Sequence, residues 1–367
     1  MDLSDYIIKQ IHEKGPISFQ EFMELSLYYP EMGYYTSAHE IIGRQGDFYT
    51  SATLTPAFGA TIAIQLEEIW RIMGGGEFTI VEYGAGTGDL CKSILDYLKD
   101  NEKMYAQLRY CIIEKSREMR NLEAKHLPDK VEWCSSILEI KGLNGCVLSN
   151  ELLDNFAVHR VMMQEELMEV YVDYQHGFTE ILRPAPPELK KYFTELNVVL
   201  PFGYCTEVNT QAIAWITEIA SALNSGYVIT IDYGYENPTM YSASKSEGSL
   251  LCYYKHSIND SPYLHIGEQD LTCHVNFSAL EHWGNKVGLS ACGITNQNYF
   301  LMSLGFREQL VRLFSKDNNV LQAAAKVAAI SHTLLMDMGS KYKVLIQQKG
   351  LNGQKLTGLA CAIKSPL

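Results

Sequence analysis

Residues 81–90, Val-Glu-Tyr-Gly-Ala-Gly-Thr-Gly-Asp-Leu, decide the fold of this chain. The pattern around them predicts a strand over Phe78–Tyr83 and a helix that carries Leu90, Ile94 and Leu98 on one face. The chain must therefore turn from strand to helix within a few residues. Glycine permits such a turn and lets a ligand approach the backbone, while the first N–H groups of the helix face that ligand.

Strand patterns alternate with helical patterns after this stretch, which is typical of an α/β fold with a mostly parallel sheet. A helix is predicted over 116–125. The further predicted strands are 110–113, Val131–Cys134, 146–148 and 227–231. Upstream, Thr55-Pro56 provides the N-cap and first-turn residues of another helix.

Two segments break this alternation and predict antiparallel hairpins. Apolar residues alternate over residues 158–183, with His176-Gly177 as the turn. The chain closes with apolar runs at 343–347 and 359–363, separated by the turn residues of 350–353. We expect this C-terminal hairpin to return to the edge of the sheet.

The 367 residues divide into three predicted regions. Residues 1–76 form an N-terminal helical region that we expect to cover the ligand site. Residues 77–235 and 331–367 form the α/β core, with the first hairpin as an insertion. Residues 236–330 form an inserted helical region that we expect to contact substrate.

The chain is acidic, with 30 basic and 43 acidic residues and a net charge of −13. Nucleic-acid binding is disfavoured because it needs a basic face. A cationic substrate or partner suits this charge.

The nine cysteines contain no CxxC pair and no zinc spacing, so we predict reduced thiols and no metal site. The N-terminus lacks the features of a signal or transit peptide, and no apolar stretch reaches the length of a membrane span. These features predict a cytoplasmic protein.

The glycine loop is open to several interpretations. A dinucleotide fingerprint, and with it a nicotinamide-dependent oxidoreductase, is disfavoured because Asp89 stands where the third glycine is required. A P-loop is excluded because the loop lacks Gly-Lys-Ser/Thr. A tight turn with no ligand stays open. The form E-x-G-x-G-x-G, from Glu82 to Gly88, is similar to the first motif of S-adenosylmethionine methyltransferases, whose cofactor carries a positive sulfonium and no phosphate.

Polar residues follow two other predicted strands. Glu114 ends the second strand, where a carboxylate can accept hydrogen bonds from both ribose hydroxyls. Asn150, Glu151 and Asp154 follow the fourth strand, and a pair of carboxylates there can bind a guanidinium group. A solvated carboxylate at Glu114 and a helix N-cap at Asp154 are the structural alternatives. His274 lies near two carboxylates in the sequence, and a structural role is as compatible with it as a catalytic one.

Taken together, these motifs resemble the MidA-like methyltransferases over nearly the whole chain. The resemblance rests on the glycine motif and on several other ordered motifs. These are Gly15-Pro16-Ile17-Ser18-Phe19, Tyr29-Pro30-Glu31-Met32-Gly33-Tyr34-Tyr35, Gly43 to Ser51, Asn150 to Asp154, Ile231 to Gly234 and Asp270 to Phe277. Ala85 departs from the usual proline, and Asn276 from the usual aspartate.

The resemblance implies a Rossmann-like class I methyltransferase core and S-adenosyl-L-methionine as cofactor. It implies that the segment from Arg44 to Ser51 folds over that cofactor. The cofactor-binding residues it implies are Arg44, Gly46, Asp47, Thr50, Ser51, Glu82, Gly84, Gly86, Glu114 and Asn150. The catalytic residues are Glu151, Asp154 and His274.

The family further implies methylation of a protein arginine, with a respiratory complex I subunit as the acceptor, by a bacterial, cytoplasmic member. A homodimer is expected from the aromatic content. The alternative is an assembly chaperone that binds cofactor without transferring a methyl group; the presence of Glu82, Gly84, Glu114 and Glu151 favours the enzyme.

Overall fold

The computed structural model describes residues 2–37, 50–255, 257–315, 319–351 and 353–361. The chain divides into two units. Unit one comprises Met1–Phe48, Leu153–Trp215 and Gly234–His282. Unit two comprises Tyr49–Leu152, Ile216–Tyr233 and Trp283–Leu367.

The helices and strands are numbered in chain order. The α-helices are α1 (Leu3–Lys14), α2 (Phe19–Tyr28), α3 (Ser51–Leu54), α4 (Pro56–Ile72), α5 (Asp89–Leu98), α6 (Glu102–Gln107), α7 (Arg117–Glu123), α8 (Pro187–Glu195), α9 (Thr210–Ala222), α10 (Asn237–Met240), α11 (Phe277–Lys286), α12 (Gln297–Ser303), α13 (Phe306–Phe314) and α14 (Val320–His332). The strands are β1 (Ile17–Ser18), β2 (Phe78–Tyr83), β3 (Leu108–Ile113), β4 (Val131–Cys134), β5 (Leu143–Asn150), β6 (His159–Met163), β7 (Leu167–Tyr174), β8 (Phe178–Pro184), β9 (Cys205–Val208), β10 (Leu223–Tyr235), β11 (Leu251–Tyr254), β12 (Ser257–Asn259), β13 (Asp270–Thr272), β14 (Val275–Asn276), β15 (Ser290–Asn296) and β16 (Tyr342–Lys349).

Unit two is built on the large sheet, whose strands lie in the order β15-β16-β10-β5-β2-β3-β4. Strands β10, β5, β2, β3 and β4 run parallel, while β16 and β15 are antiparallel to their neighbours. From β2 the chain builds outward through β3 and β4, and then returns to β5 on the other side of β2. In such sheets the reversal of strand order opens a crevice at the carboxyl ends of the two central strands, and ligands bind there. The predicted Rossmann-like α/β fold is confirmed.

The strands predicted at Phe78–Tyr83 and Val131–Cys134 have the predicted bounds, and the other three are longer than their apolar cores. They extend further because ladder hydrogen bonds continue through polar residues that carry no periodic signal. Helix α4 begins after the N-cap Thr55, whose side chain accepts from the Ala57 N–H at 3.3 Å.

The predicted C-terminal hairpin has a different partner strand. Strand β16 pairs along its length with β15, and the described residues of the predicted second strand, 359–361, are not in a strand. Residues Thr357–Leu359 form a 3-10 helix. Here the Gly358 N–H donates to the Gln65 side chain at 2.9 Å, so this segment is held by α4 and not by the ladder. Strand β15 lies within the expected insertion 236–330, although it belongs to the large sheet; the three-region division itself stays a prediction.

Unit one contains two antiparallel sheets. The first has the order β1-β7-β6-β9, and β8 also pairs with β7. The second has the order β12-β11-β13. Residues 168–174 of β7 pair with residues 178–184 of β8 across a turn at 175–177, as the alternation predicts. No helix in the described part of the chain is both long and apolar enough to cross a bilayer.

We predict that alanine at Gly145 destabilises unit two. Gly145 in β5 has φ +153°, and a Cβ there would overlap the Thr79 carbonyl of the adjacent strand. Backbone strain and overpacking should together lower the free energy of unfolding by roughly 2–4 kcal/mol. Urea denaturation of Gly145→Ala measures this effect. Gly76→Ala is the control, because a Cβ at Gly76 meets open space; equal stability of the two variants would contradict the prediction.

Candidate active site

The glycine loop connects β2 to α5 and has a left-handed glycine at every second position. Gly84, Gly86 and Gly88 have φ values of +65°, +57° and +80°. A Cβ at Gly84 would lie 2.7 Å from the Leu152 side chain, so this position is closed to larger residues. The Gly88 N–H donates to the Ala85 carbonyl at 2.8 Å, which makes the turn tight, and Ala85 fits it in place of the family's proline.

Glu82 and Glu114 lie at the ends of β2 and β3 and are both buried. The Tyr110 hydroxyl donates to Glu82 Oε2 at 2.6 Å. Burial raises the pKa of Glu82 to about 7, against the effect of that hydrogen bond. Burial also raises the pKa of Glu114, while backbone N–H groups, including those of Ser116 and Gly86, act in the opposite direction. Glu114 is therefore tied to the glycine loop.

Glu123 on α7 is a third buried carboxylate, which the sequence analysis did not single out. Its Oε2 accepts from Trp133 Nε1 at 2.6 Å, and its Oε1 has no hydrogen-bond partner within the described segments. Burial, together with the charges of Glu114 and Glu82, raises the pKa of Glu123 to about 8, while the Trp133 hydrogen bond acts in the opposite direction. Nothing in the helical pattern of 116–125 marks this residue, since a glutamate there is ordinary on a solvated helix face.

Glu151 follows the end of β5 and is held on both carboxylate oxygens. Oε1 accepts from the Ser51 N–H at 2.9 Å and from Asn150 Nδ2 at 3.1 Å. Oε2 accepts from the Tyr342 hydroxyl at 2.9 Å. The backbone of Glu151 is left-handed, with φ +54°, and its N–H donates to the Ile231 carbonyl at 2.9 Å. The structure thus brings together three predicted site residues, Ser51, Asn150 and Glu151, and adds Tyr342.

The short helix α3 brings Ser51 to this position. Thr50 is its N-cap and forms a capping box with Thr53, with the Thr53 N–H donating to Thr50 Oγ1 at 3.3 Å. The Ser51 side chain is fully buried, with its Oγ 3.4 Å from Gln297 Nε2. Gln297 is a second residue that the sequence analysis missed, because it lies far along the chain at the start of α12.

Asp154 belongs to unit one, in the 3-10 helix Leu153–Asn155. Its side chain is 5% exposed, and its carbonyl accepts from the Cys273 N–H at 2.8 Å. The structural alternative, a helix N-cap at Asp154, does not occur, since no α-helix starts there.

Tyrosine rings and a second aspartate surround this part of unit one. The Tyr35 hydroxyl donates to Asp270 Oδ1 at 2.9 Å, and the ring of Tyr35 stacks on Tyr28 with centroids 5.6 Å apart. Burial, followed by the charges of Asp270 and Asp154 among its neighbours, holds the pKa of Tyr35 well above its usual range. Asp154 and Asp270 are therefore both close to this phenol.

His274 also lies in unit one, where its ring packs edge-on against Tyr235 with centroids 5.0 Å apart. The backbone N–H of His274 donates to Ser249 Oγ at 3.0 Å. Burial, with the nearby charge of Lys245, lowers the pKa of His274 to about 4. A neutral imidazole with such a low pKa is a weak base at neutral pH, which disfavours a general-base role for His274.

Arg44, Gly46 and Asp47 lie outside the described residues, and their predicted cofactor contacts stay predictions. The nine cysteines are free thiols. In the segments that the structure describes, no group of three or more histidine, cysteine or acidic side chains could hold a metal ion.

Comparison with known proteins gives consistent results. A family model described as S-adenosyl-L-methionine-dependent methyltransferase matches residues 61–295. The mitochondrial protein arginine methyltransferase NDUFAF7 homolog of Drosophila melanogaster is 23% identical over 94% of this chain and 85% of its own. The mitochondrial protein arginine methyltransferase NDUFAF7 of Homo sapiens is 24% identical over 85% of this chain and 75% of its own.

A crystal structure from Burkholderia thailandensis is also similar to this chain. That protein is described as a methyl transferase bound to S-adenosyl-homocysteine. The two match with a TM-score of 0.89 and 28% identity, covering 99% of this chain and 95% of that one. The similarity therefore covers both units of the chain.

We predict that the stability of the protein falls as pH rises because of the buried carboxylates. Glu123 has its usual pKa of 4.5 when unfolded and a pKa of about 8 when folded, so the folded state binds more protons between these values. The stabilisation is complete below the unfolded pKa and is lost as pH rises through the folded pKa. Urea denaturation from about pH 5 to about pH 8 should show this decline, and Glu123→Gln should flatten it.

The control for this experiment is Glu118→Gln, because Glu118 is an exposed carboxylate on the same helix. It should keep the pH dependence of the unmodified protein. A Glu123→Gln curve parallel to that of the Glu118 variant would show that Glu123 carries no such linkage.

Proposed function

The chain belongs to the MidA-like family of S-adenosyl-L-methionine-dependent methyltransferases, and on this basis we propose that it methylates an arginine side chain of a protein. The observation that carries the proposal is the Glu151 carboxylate, fixed at the carboxyl end of β5, beside the strand that leads into the glycine loop. A carboxylate at that place suits a cationic acceptor. The names of the relatives and the acidic charge of the chain, −13, support the same acceptor.

The residues at the strand ends fit the cofactor. Gly84, Gly86 and Gly88 are left-handed and carry no side chain, so a ligand can approach the backbone of the loop closely. Glu114 is proposed to bind the ribose hydroxyls, as acidic residues at this strand end do. Asn150 has a buried Oδ1 with no partner in the described part of the chain, which is an acceptor that a ligand can satisfy. Thr50 and Ser51 complete the proposed cofactor contacts in unit two.

Glu82 is proposed to act indirectly. It is buried at 2% exposure, and its carboxylate is bound by Tyr110, so it shapes the loop from beneath. With a pKa of about 7 it carries a proton for part of the time at neutral pH, which limits its repulsion of Glu114.

When bound, S-adenosyl-L-methionine supplies a methyl group on a positively charged sulfur, which leaves with the electron pair of that bond as a neutral thioether. The acceptor guanidinium is cationic at neutral pH, because its pKa is above about 12. Glu151 accepts N–H hydrogen bonds from it, orients it, and draws positive charge toward the bound nitrogen. A nitrogen that Glu151 does not bind is then the better nucleophile, and it loses one proton to solvent. Positioning supplies much of the rate.

Other parts of the sequence-based interpretation stay predictions. Asp154 and His274 are proposed to contact the acceptor, His274 by orientation and not as a base, given its low pKa. We also retain as proposals a complex I subunit as acceptor, a cytoplasmic location and a homodimer.

We predict that Gly84→Val abolishes cofactor binding. A valine there would put its Cβ 2.7 Å from the Leu152 side chain, so Leu152 would have to move. Its backbone would also have to keep φ +65°, which a β-branched residue rarely adopts. Isothermal titration with S-adenosylhomocysteine should give micromolar binding for the unmodified protein and none for the variant. NADH should not bind either. Gly76→Val, at a glycine with open space, is the control and should keep the affinity; unchanged binding by Gly84→Val would place the cofactor elsewhere.

We predict that Glu151→Gln keeps the cofactor and loses turnover. The neutral amide no longer attracts the guanidinium or draws its charge, so methyl transfer should fall by at least about 100-fold. The assay supplies S-adenosyl-L-methionine with a labelled methyl group and heat-treated proteins of a bacterial extract, and counts methylarginine after acid hydrolysis. The control is Glu77→Gln, an exposed carboxylate of unit two.

Three outcomes of this assay are informative. Methylarginine formation that Glu151→Gln preserves would remove Glu151 from the reaction. A label on another amino acid would replace arginine as the acceptor. Cofactor binding without any labelled protein would favour the assembly chaperone over the enzyme.

A further inference from the structure

The hydroxyl of Tyr342, in unit two, donates a hydrogen bond to the second carboxylate oxygen of Glu151 at 2.9 Å. We propose that Tyr342 is a positioning residue for methyl transfer: it fixes the Glu151 carboxylate in its rotamer and in its charged form. This inference rests on the proposed function, because it concerns the residue that binds the acceptor. Tyr342 lies 191 residues after Glu151 in the sequence, and no motif of the sequence includes it.

The main chain at Glu151 is fixed by its own contacts, whereas its side chain needs further contacts to fix it. The residue is left-handed at φ +54°, a conformation that side chains other than glycine and asparagine adopt rarely. Its neighbour is fixed as well, since the Leu152 N–H donates to Asp232 Oδ2 at 3.1 Å. The main chain is thus set from both sides, but a glutamate side chain has three rotatable bonds beyond it. Hydrogen bonds to the carboxylate must fix those bonds.

Donors on separate segments bind the two carboxylate oxygens. The Ser51 N–H on α3 binds Oε1 at 2.9 Å, as does Asn150 Nδ2 at 3.1 Å, and the Tyr342 hydroxyl on β16 binds Oε2 at 2.9 Å. Donors to Oε1 alone would leave the carboxylate free to rotate about the C–C bond that carries it. Two donors on different oxygens fix its plane, and an acceptor group then meets oxygens that are already oriented.

Tyr342 is itself rigid. It is 9% exposed and pairs with Tyr233 in the ladder between β10 and β16. The two rings pack edge-to-face with centroids 5.5 Å apart. The Tyr342 N–H donates to the Met338 carbonyl at 3.0 Å, which fixes the start of β16. The phenol therefore carries the rigidity of the sheet to the Glu151 carboxylate.

The hydroxyl also affects the charge of Glu151. A hydrogen bond donated to a carboxylate favours the charged form, and its removal favours protonation. Tyr342 and Asp232, whose Oδ2 accepts from the Leu152 N–H, are ionisable groups that the described segments put near this carboxylate. A charged Asp232 would disfavour a second negative charge nearby, and the Tyr342 donor would oppose that effect.

Tyr342→Phe tests the inference, because phenylalanine keeps the ring that packs on Tyr233 and removes only the hydroxyl. We expect unchanged affinity for S-adenosylhomocysteine, an unchanged KM for S-adenosyl-L-methionine, and a kcat lower by about 10- to 100-fold in the bacterial-extract assay. The acidic limb of the pH–rate profile should move to higher pH. Tyr299→Phe is the matched control, since Tyr299 on α12 is 45% exposed.

A second measurement does not depend on methyl transfer. In protein labelled with carbon-13 in its glutamate carboxyls, the Glu151 signal is assigned by its absence from Glu151→Gln. Its titration midpoint should lie at higher pH in Tyr342→Phe than in the unmodified protein and in Tyr299→Phe. A midpoint and a kcat equal to those of Tyr299→Phe would overturn the inference. A shifted midpoint in a protein that labels no arginine would keep the Tyr342–Glu151 contact and reject only the proposed function.

Discussion

The reversal of strand order between β2 and β5 is the constraint on which the rest of unit two depends. Both strands run parallel in the centre of the sheet, and the segments that follow them leave its edge in opposite directions. The glycine loop continues from one strand and the Asn150-Glu151 turn from the other. Because the two strands are hydrogen-bonded neighbours, the glycine loop and the Glu151 carboxylate lie at the same edge of the sheet. The antiparallel β16 then brings a residue from the end of the chain to the same edge.

Burial gives the carboxylates of this region different electrical states. Glu82 and Glu123 are enclosed by apolar residues of the core, and their raised pKa values let them carry protons near neutral pH. Glu114 is buried too, but backbone N–H groups support its charge. Three glutamates in one part of the fold thus avoid three full negative charges.

The sequence predicts the part of this site that is local. A strand followed by spaced glycines and a helix is a pattern of about a dozen residues, and the strands after it follow from apolar runs. Glu114 and Glu151 were found because each follows such a run. Tyr342, Gln297 and Glu123 were not found, because their roles depend on pairing across the sheet or on burial, and one sequence records neither. The second strand predicted at 359–363 was wrong over its described residues, 359–361, for the same reason: β16 selects its partner by tertiary pairing with β15.

The left-handed backbone at Glu151 has a consequence for protein engineering. A glutamate at φ +54° is strained by on the order of 1 kcal/mol relative to glycine, so the backbone conformation alone would favour glycine at this position. Glycine would also remove the carboxylate that accepts from the Ser51 N–H and the Tyr342 hydroxyl, and donors left without an acceptor cost about 1–3 kcal/mol each. A design that raises the melting temperature of the fold must therefore leave position 151 as it is.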